Sequence, residues 1–368
     1  MGIKKMERIC FCIEDITRCG GTESVCVTLA NALVKKGYDV HILSLLHRNE
    51  QPFFSLNEKI HSKKIFTSFE KRFFSRSSYV SLKIWLYCLI HQIDIIVDTD
   101  IDRCNQTIPA IRKLKIKHVA WEHFSYSYFS ENPHHQAALP KILSRSNAMV
   151  VLTQADRNLY MQKQGVPDYL IHQIYNPIIY KEDAPISHDS LKVISLGRFS
   201  QEKGFDLLLR AWQKVERETE NWILEIWGDT GDDTGNVHAT FNSLNLKRAS
   251  LHPSTRDVGS LFKGASIYVL PSRSEGLGLV LMEASSYSLP LIAFDCPNGP
   301  REIIRNGVNG VLVEAENIDE MAKALLRLMK DKELRTEMGK TAFYEAKRFS
   351  EENIVNQWED LFNSILAG

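Results

Sequence analysis

The chain has no excess of charge of either sign: 45 Lys and Arg stand against 45 Asp and Glu in 368 residues, which removes the global attraction to nucleic acid that a basic protein would have. It has no long apolar run either. The greasiest region, residues 79–97, is interrupted by Lys83, His91, Gln92 and Asp94, so no transmembrane helix is expected. The apolar run 9–13 behind Lys4 and Lys5 is too short for a secretory core and reads as a first strand. The cysteines are an odd set of seven, at positions 10, 12, 19, 26, 88, 104 and 296, and offer no disulfide framework. Cys10 and Cys12 alternate along a strand with no second pair at zinc spacing, and a reducing cytoplasm is the expected compartment. The chain also lacks a G-x-G-x-x-G, a fixed-period repeat and a low-complexity tract, and its second strand ends at 45–47 without the acid that a dinucleotide's ribose needs.

What is present is an ordinary globular composition, 44% hydrophobic and 24% charged, in a length that suits two domains with a cleft between them as the default site. Apolar runs alternate with helical periodicity twice over, the pattern of parallel sheets covered on both faces. The first set predicts strands at 8–14, 39–45, 93–98, 118–123 and 148–153, with helices at 23–36, 77–92, 103–114, 140–144 and 155–164. The second predicts strands at 192–197, 222–227, 250–252, 266–270, 291–294 and 311–313, with helices at 204–217, 257–263, 279–286 and 318–330. The polar, proline-punctuated stretch from Asn176 reads as a linker, so the domains are 1–180 and 181–349. A last amphipathic helix, 352–366 after a cap at Ser350, carries Ile354, Trp358, Leu361, Phe362 and Ile365 at helical spacing.

The most informative stretch is 271–284, where Glu275 and Glu283 have seven residues between them. It reads as strand end, glycine turn and helix. Gly276 and Gly278 allow close backbone approach, and the helix opening at Leu279 offers free N–H groups to an anion. One carboxylate at the turn and another in the helix suit a ligand with a polyol at each end and phosphates between, such as a nucleotide sugar. Arg198 and Lys203 stand five residues apart in the loop after the second domain's first strand, where they can neutralise a departing diphosphate. Gly20 and Gly21 open the first helix, where their amides can meet phosphate or simply serve the helix start, and His123 ends an apolar strand.

Other clusters have simpler readings. Asp98, Asp100 and Asp102 could chelate a metal, but acids before a helix at Arg103 are favoured as caps, with Asp102 as the capping residue. His134 and His135 read as a solvated loop pair, and Asp229, Asp232 and Asp233 as a solvated turn. Residues 59–83 hold seven Lys or Arg residues, Lys59, Lys63, Lys64, Lys71, Arg72, Arg76 and Lys83, with no acid after Glu70. Interleaved with Phe66, Phe69, Phe73, Phe74 and Tyr79, they read either as a patch for anionic lipid or as a solvated loop.

Together, Gly20-Gly21-Thr22-Glu23, His123, Gly197-Arg198 to Lys203-Gly204 and the E-x7-E pair resemble the family 4 retaining glycosyltransferases of GT-B fold, in that family's order and across both domains. The resemblance implies two Rossmann-like domains, with the donor mainly on the C-terminal one and the last helix, 350–368, crossing back to the N-terminal domain. It implies that Arg198 and Lys203 bind the donor pyrophosphate and Glu283 its ribose. Glu275 and the amides of Gly276, Leu277, Gly278 and Leu279 would hold the transferred sugar, His123 would lie near that sugar, and Gly20 and Gly21 near phosphate and acceptor. Such enzymes resemble one another in needing no metal or other cofactor. The segment Trp227 to Asp233 departs from the family's compact G-x-G turn, and 295–303 is similar to members that build surface polysaccharides from UDP-sugars.

The expectation is a cytoplasmic, membrane-associated transferase that moves a hexose or N-acetylhexosamine from a nucleotide diphosphate, most readily UDP, onto a glycan or lipid-linked glycan, with retention. A nucleotide-sugar epimerase or hydrolase, or a non-catalytic carbohydrate-binding subunit, is the alternative.

Overall fold

The computed structural model describes residues 6–65, 77–178, 182–228 and 233–368. The chain divides into two compact units, unit 1 formed by residues 1–178 with 351–368, and unit 2 by residues 179–350.

Unit 1 is built on seven parallel strands: β1 (Arg8–Asp15), β2 (Asp39–Leu46), β3 (His61–Lys64), β4 (Ile95–Asp98), β5 (Lys117–Trp121), β6 (Ala148–Val151) and β7 (Ile171–Gln173), in the order β3-β2-β1-β4-β5-β6-β7. The continuous apolar runs explain the arrangement, since β4 and β6 are buried along their whole length and such strands need helices on both faces. The helix Ser77–His91 turns Val80, Ile84 and Cys88 onto this sheet. The C-terminal helix Glu351–Ala367 also belongs to unit 1 and buries Ile354, Trp358, Leu361, Phe362 and Ile365. Trp358 meets Trp121 at the end of β5 edge to face, with centroids 4.8 Å apart, while Lys35–Glu351 and Lys36–Glu359 ion pairs at 2.8 and 2.9 Å hold the helix against Gly21–Lys35. Burying a tryptophan there contributes on the order of 3 kcal/mol.

Unit 2 has six parallel strands: β8 (Lys192–Leu196), β9 (Ile223–Gly228), β10 (Ala249–Pro253), β11 (Ile267–Leu270), β12 (Leu291–Phe294) and β13 (Gly310–Val313), in the order β10-β9-β8-β11-β12-β13. Phe205, Leu208 and Trp212 of the helix Phe205–Glu216 and Met321, Leu325 and Leu328 of the helix Ile318–Lys330 close one core with the strands.

Strands β3 and β7 and the short helices Tyr126–Glu131 and Pro300–Ile303 were not expected from the sequence, and three longer helices also extend the expectations. The short helix expected at 140–144 runs from Pro133 to Arg145, because Asn132 caps it through His134 and His135 amides, Pro133 suits its first turn, and Pro140 is accommodated inside it. Helix Lys332–Ala346 and helix Val237–Leu244 are additional. The former hides from a periodicity search behind Gly339, where an added Cβ would meet the Ser288 carbonyl at 2.1 Å.

Candidate functional site

In unit 2 the chain leaves β8 toward β9 and β10, then returns to β11 on the other side, so the strand order reverses between β8 and β11. Loops leaving the C-terminal ends of two such strands diverge and open a crevice, the usual ligand position in open α/β sheets. The loops at this reversal are those that hold Arg198, Lys203 and Glu275.

Three close backbone approaches bind these loops together. Gly204, at φ +63°, lies so near Pro271 that an added Cβ would sit 2.0 Å from its carbonyl oxygen. A Cβ on Gly228 would come within 2.0 Å of the Gly197 oxygen, and one on Gly299 within 2.6 Å of the Leu277 oxygen. Side chains complete the fastening: Arg273 donates to both carboxylate oxygens of Asp206 at 2.8 Å, to the Gln201 carbonyl at 2.8 Å and to Glu316 at 3.1 Å.

The outcome is that Lys203 and Glu275, far apart in sequence, meet: Lys203 Nζ donates to Glu275 Oε1 at 2.6 Å, and Ser272 Oγ donates to the same oxygen at 2.6 Å. Glu275 is mostly covered, with 9% of its side chain exposed. Glu283 lies half-buried within the helix Leu279–Ser286. Both carboxylates bear on the Tyr268 hydroxyl of β11, which burial, then Glu275, then more weakly Glu283 push upward. That helix begins at Gly278, in left-handed conformation at φ +89°, with no side-chain cap on its first amides. Leu277 is buried, and Arg198 is exposed where its loop leaves β8, outside the hydrogen-bonded group. Cys296 is a residue that sequence reading did not place here; burial and then the Glu275 charge push its thiol up to about 12, so it stays neutral.

In unit 1 the strand order reverses between β1 and β4, and Gly20 and Gly21 follow β1. The Glu23 carboxylate folds back on the helix start, its Oε2 2.2 Å from where a Cβ on Gly20 would be, so a side chain there would displace that carboxylate. The anion at this helix start is thus the chain's own; Glu23 is buried, and burial raises its pKa. His123 follows β5, its ring 4.3 Å from that of Trp121, so the C-terminal helix supports it through Trp358 and Trp121. Its Nε2 is buried without a hydrogen-bond partner among the described residues, and burial lowers its pKa to about 3, leaving a neutral imidazole.

Two expectations about acidic and histidine clusters are corrected here. His135 is not solvated but 2% exposed, with Nδ1 3.2 Å from Glu122 and Nε2 3.3 Å from Asp100. Burial pushes Glu122 up to about 7, against the hydrogen bond from His135. A helix entered through the Asn132 cap, rather than a loop, accounts for that burial. The capping residue is Asp100 rather than Asp102: Asp100 accepts from the Asp102 amide at 2.8 Å, while Asp102 pairs with Arg103. Asp98 is fully buried and bonded to His118 and Thr107 at 2.8 Å each, so these acids are engaged separately rather than as a chelating pair. Asp233 caps the helix Val237–Leu244 by accepting from the Val237 and His238 amides, and residues 229–232 of that turn lie outside the described residues. Of the basic stretch, residues 66–76 likewise lie outside the described residues, while Lys59 and Lys63 are exposed and Lys83 donates to the Ile65 carbonyl at 3.0 Å.

Comparison with known proteins bears on the family and the fold. The pattern describing the glycosyl transferases group 1 matches residues 178–344, and that of Glycosyltransferase Family 4 matches residues 19–181. An uncharacterized glycosyltransferase of Haemophilus influenzae is 30% identical over 361 residues, covering 97% of this chain and 100% of its own. The amylovoran biosynthesis glycosyltransferase AmsD of Erwinia amylovora is 25% identical over 371 residues, covering 97% of this chain and all of its own. Among solved structures, the fold is similar to that of sucrose-phosphate synthase from Thermosynechococcus elongatus, with a TM-score of 0.84 at 16% identity over 98% of this chain and 99% of that one. It is also similar to the Anabaena protein HepE solved in complex with UDP-glucose, with a TM-score of 0.79 at 18% identity over 97% and 99% of the two chains.

Proposed function

The chain belongs to glycosyltransferase family 4 of the group 1 glycosyl transferases, and from that premise we propose that it moves a hexose or N-acetylhexosamine from a UDP-sugar to a glycan or lipid-linked glycan acceptor, with retention and without a metal. The observation that carries this reading is the contact of Lys203 with Glu275 at 2.6 Å, beside an uncapped helix start at the strand reversal of unit 2. It puts a cation for the leaving diphosphate next to an acceptor for sugar hydroxyls.

Departure of the diphosphate is the costly step. Lys203, Arg198 and the amides at Leu279 stabilise the charge that develops on it, in place of a metal, and Glu283 holds the ribose. Ser272 and Lys203 fix the Glu275 carboxylate on one oxygen, which leaves the other for the donor sugar. A neutral His123 can accept or donate one hydrogen bond to a sugar hydroxyl at any physiological pH. Attack by the acceptor on the leaving group's face, with a diphosphate oxygen assisting deprotonation, accounts for retention without a protein nucleophile. The Anabaena complex with UDP-glucose supports a uridine donor, and AmsD, named for amylovoran biosynthesis, supports a polysaccharide acceptor.

The same reading places the enzyme on the cytoplasmic face of an anionic membrane. No helix among the described residues is long and apolar enough to cross one, but the helix Ser77–His91 exposes Leu82, Leu86, Leu89 and Ile90, and residues 71–93 contain no acid.

A thermal-shift panel of UDP-, GDP- and ADP-sugars identifies the donor, and transfer assayed in chelator, with product anomers read by NMR, tests the rest. The reading expects a UDP-sugar to raise Tm, persistence of transfer in chelator, and retained configuration. Donor turnover equal with and without acceptor would point to a hydrolase or epimerase instead. Equal flotation with neutral and anionic liposomes would remove the membrane assignment.

A further inference from the structure

At the opposite edge of unit 1's sheet, where β2 and β3 begin, three side chains that the transfer reaction does not use converge. His41 and His61 are register partners across β2 and β3, so their side chains share a face, and their rings stack with centroids 4.7 Å apart. Asp39 lies two residues before His41 and therefore on the same face. Its Oδ1 is 3.4 Å from His41 Nε2 and 3.5 Å from His61 Nε2, and these three atoms all lie within 4.8 Å of one another.

The distances are informative. They are too long for good hydrogen bonds, yet the edge of a tetrahedron of nitrogen or oxygen ligands around zinc, with bonds near 2.0–2.1 Å, is about 3.3 Å. His41 is 2% exposed and its Nε2 is buried without a well-formed hydrogen bond, its near acceptor being Asp39 Oδ1 at 3.4 Å, so that its lone pair is available to a cation. Its other nitrogen, Nδ1, lies 2.8 Å from the Tyr87 hydroxyl, the outer contact that fixes a metal-binding imidazole's tautomer and aims Nε2 at the cation. Arg8 lies 3.5 Å from the other oxygen of Asp39 and tempers the site's negative charge.

We propose that Asp39, His41 and His61 form a site for a divalent transition cation of the zinc class, with the fourth position open to solvent beside His91. The site lies at the strand starts, five residues of β2 from its C-terminal end, or roughly 17 Å. That separation makes the cation a fastener of the short edge strand β3 to β2 and the helix Ser77–His91, not a participant in transfer. The other candidate group, Asp98, Cys104 and His118, is fully buried with His118 already bonded through both nitrogens, and it leaves no ligand atom of that ring free.

The test uses untagged full-length protein stripped of metal by chelating resin, titrated with Co2+ and then Zn2+. Wild type should bind one Co2+ per chain with a tetrahedral visible band that Zn2+ displaces, and zinc should raise Tm. His61→Ala, at a side chain 61% exposed and safe to remove, should weaken binding at least tenfold and abolish the Tm gain, whereas His134→Ala on an exposed position should leave both unchanged. No visible band in wild type, or equal affinity in His61→Ala and wild type, overturns the site. Either outcome is independent of transfer in chelator, which tests the catalytic reading alone.

Discussion

Replacing Gly204 by alanine separates the strain of a backbone conformation from the geometry of the site. Gly204 and Gly165 share nearly the same left-handed conformation, φ +63° and +65°. Alanine there costs roughly 1–2 kcal/mol in either place. They differ in surroundings: nothing lies within 4 Å of a Cβ at Gly165, whereas at Gly204 the Pro271 oxygen is 2.0 Å away. Restoring ordinary van der Waals contact needs the Gln201–Lys203 turn and the Pro271 loop to part by more than about 1 Å, and a displacement of that size costs about 100-fold in rate. Gly165→Ala should therefore lose about 1–2 kcal/mol of stability with transfer unchanged, and Gly204→Ala should lose transfer about 100-fold, near 2.7 kcal/mol in the barrier. The assay is steady-state transfer at 25 °C on samples shown by circular dichroism to be folded. If Gly204→Ala retains transfer within threefold of Gly165→Ala, the Lys203–Glu275 contact is not what this glycine protects.

Lys203→Ala should reduce kcat by about 100- to 1000-fold, as removal of one charge-stabilising donor does, while lowering stability by only about 1 kcal/mol, because Ser272 still donates to the Glu275 carboxylate. Near wild-type turnover would remove Lys203 from the chemistry. Arg273→Leu should destabilise the protein by about 2 kcal/mol in denaturant titration by stranding Asp206, and should lower transfer as well; a loss below about 0.5 kcal/mol would contradict the fastening role. His123, held at about 3 when folded against 6.5 ordinarily, is a base with a depressed pKa: its contribution is present above pH 6.5 and is lost as pH falls toward 3. His123→Asn should thus gain on wild type below pH 6.5 by up to about 1.4 kcal/mol per pH unit, and parallel Tm profiles would refute the burial of its neutral ring.

Much of the fold was legible because parallel sheets covered on both sides demand unbroken apolar strands, and β4, β6, β11 and β12 show just that. Trp358 and Phe362 at helical spacing announced a buried last helix, although spacing alone did not say that Trp121 would be its partner. The E-x7-E pair and the Arg198 to Lys203 loop could be placed at strand ends from sequence, since strand ends and glycine turns have local signatures, but the meeting of Lys203 with Glu275 could not. What stayed hidden was long-range. Arg273 reads as one more surface cation until Asp206 and Glu316 are brought to it, and Glu122 reads as an ordinary acid until His135 arrives from a helix whose Pro140 breaks the apparent pattern. Asp39, His41 and His61 show no metal-ligand spacing because strand pairing, not sequence proximity, unites them.

The account rests on the β8 and β11 loops gripping a nucleotide diphosphate, and calorimetric titration of UDP into wild type, Lys203→Ala and Glu283→Ala asks this directly. Saturable binding by wild type, weakened at least tenfold in each variant, about 1.4 kcal/mol or more, is the predicted result. Equal affinity in all three proteins, or no binding by wild type, would contradict it.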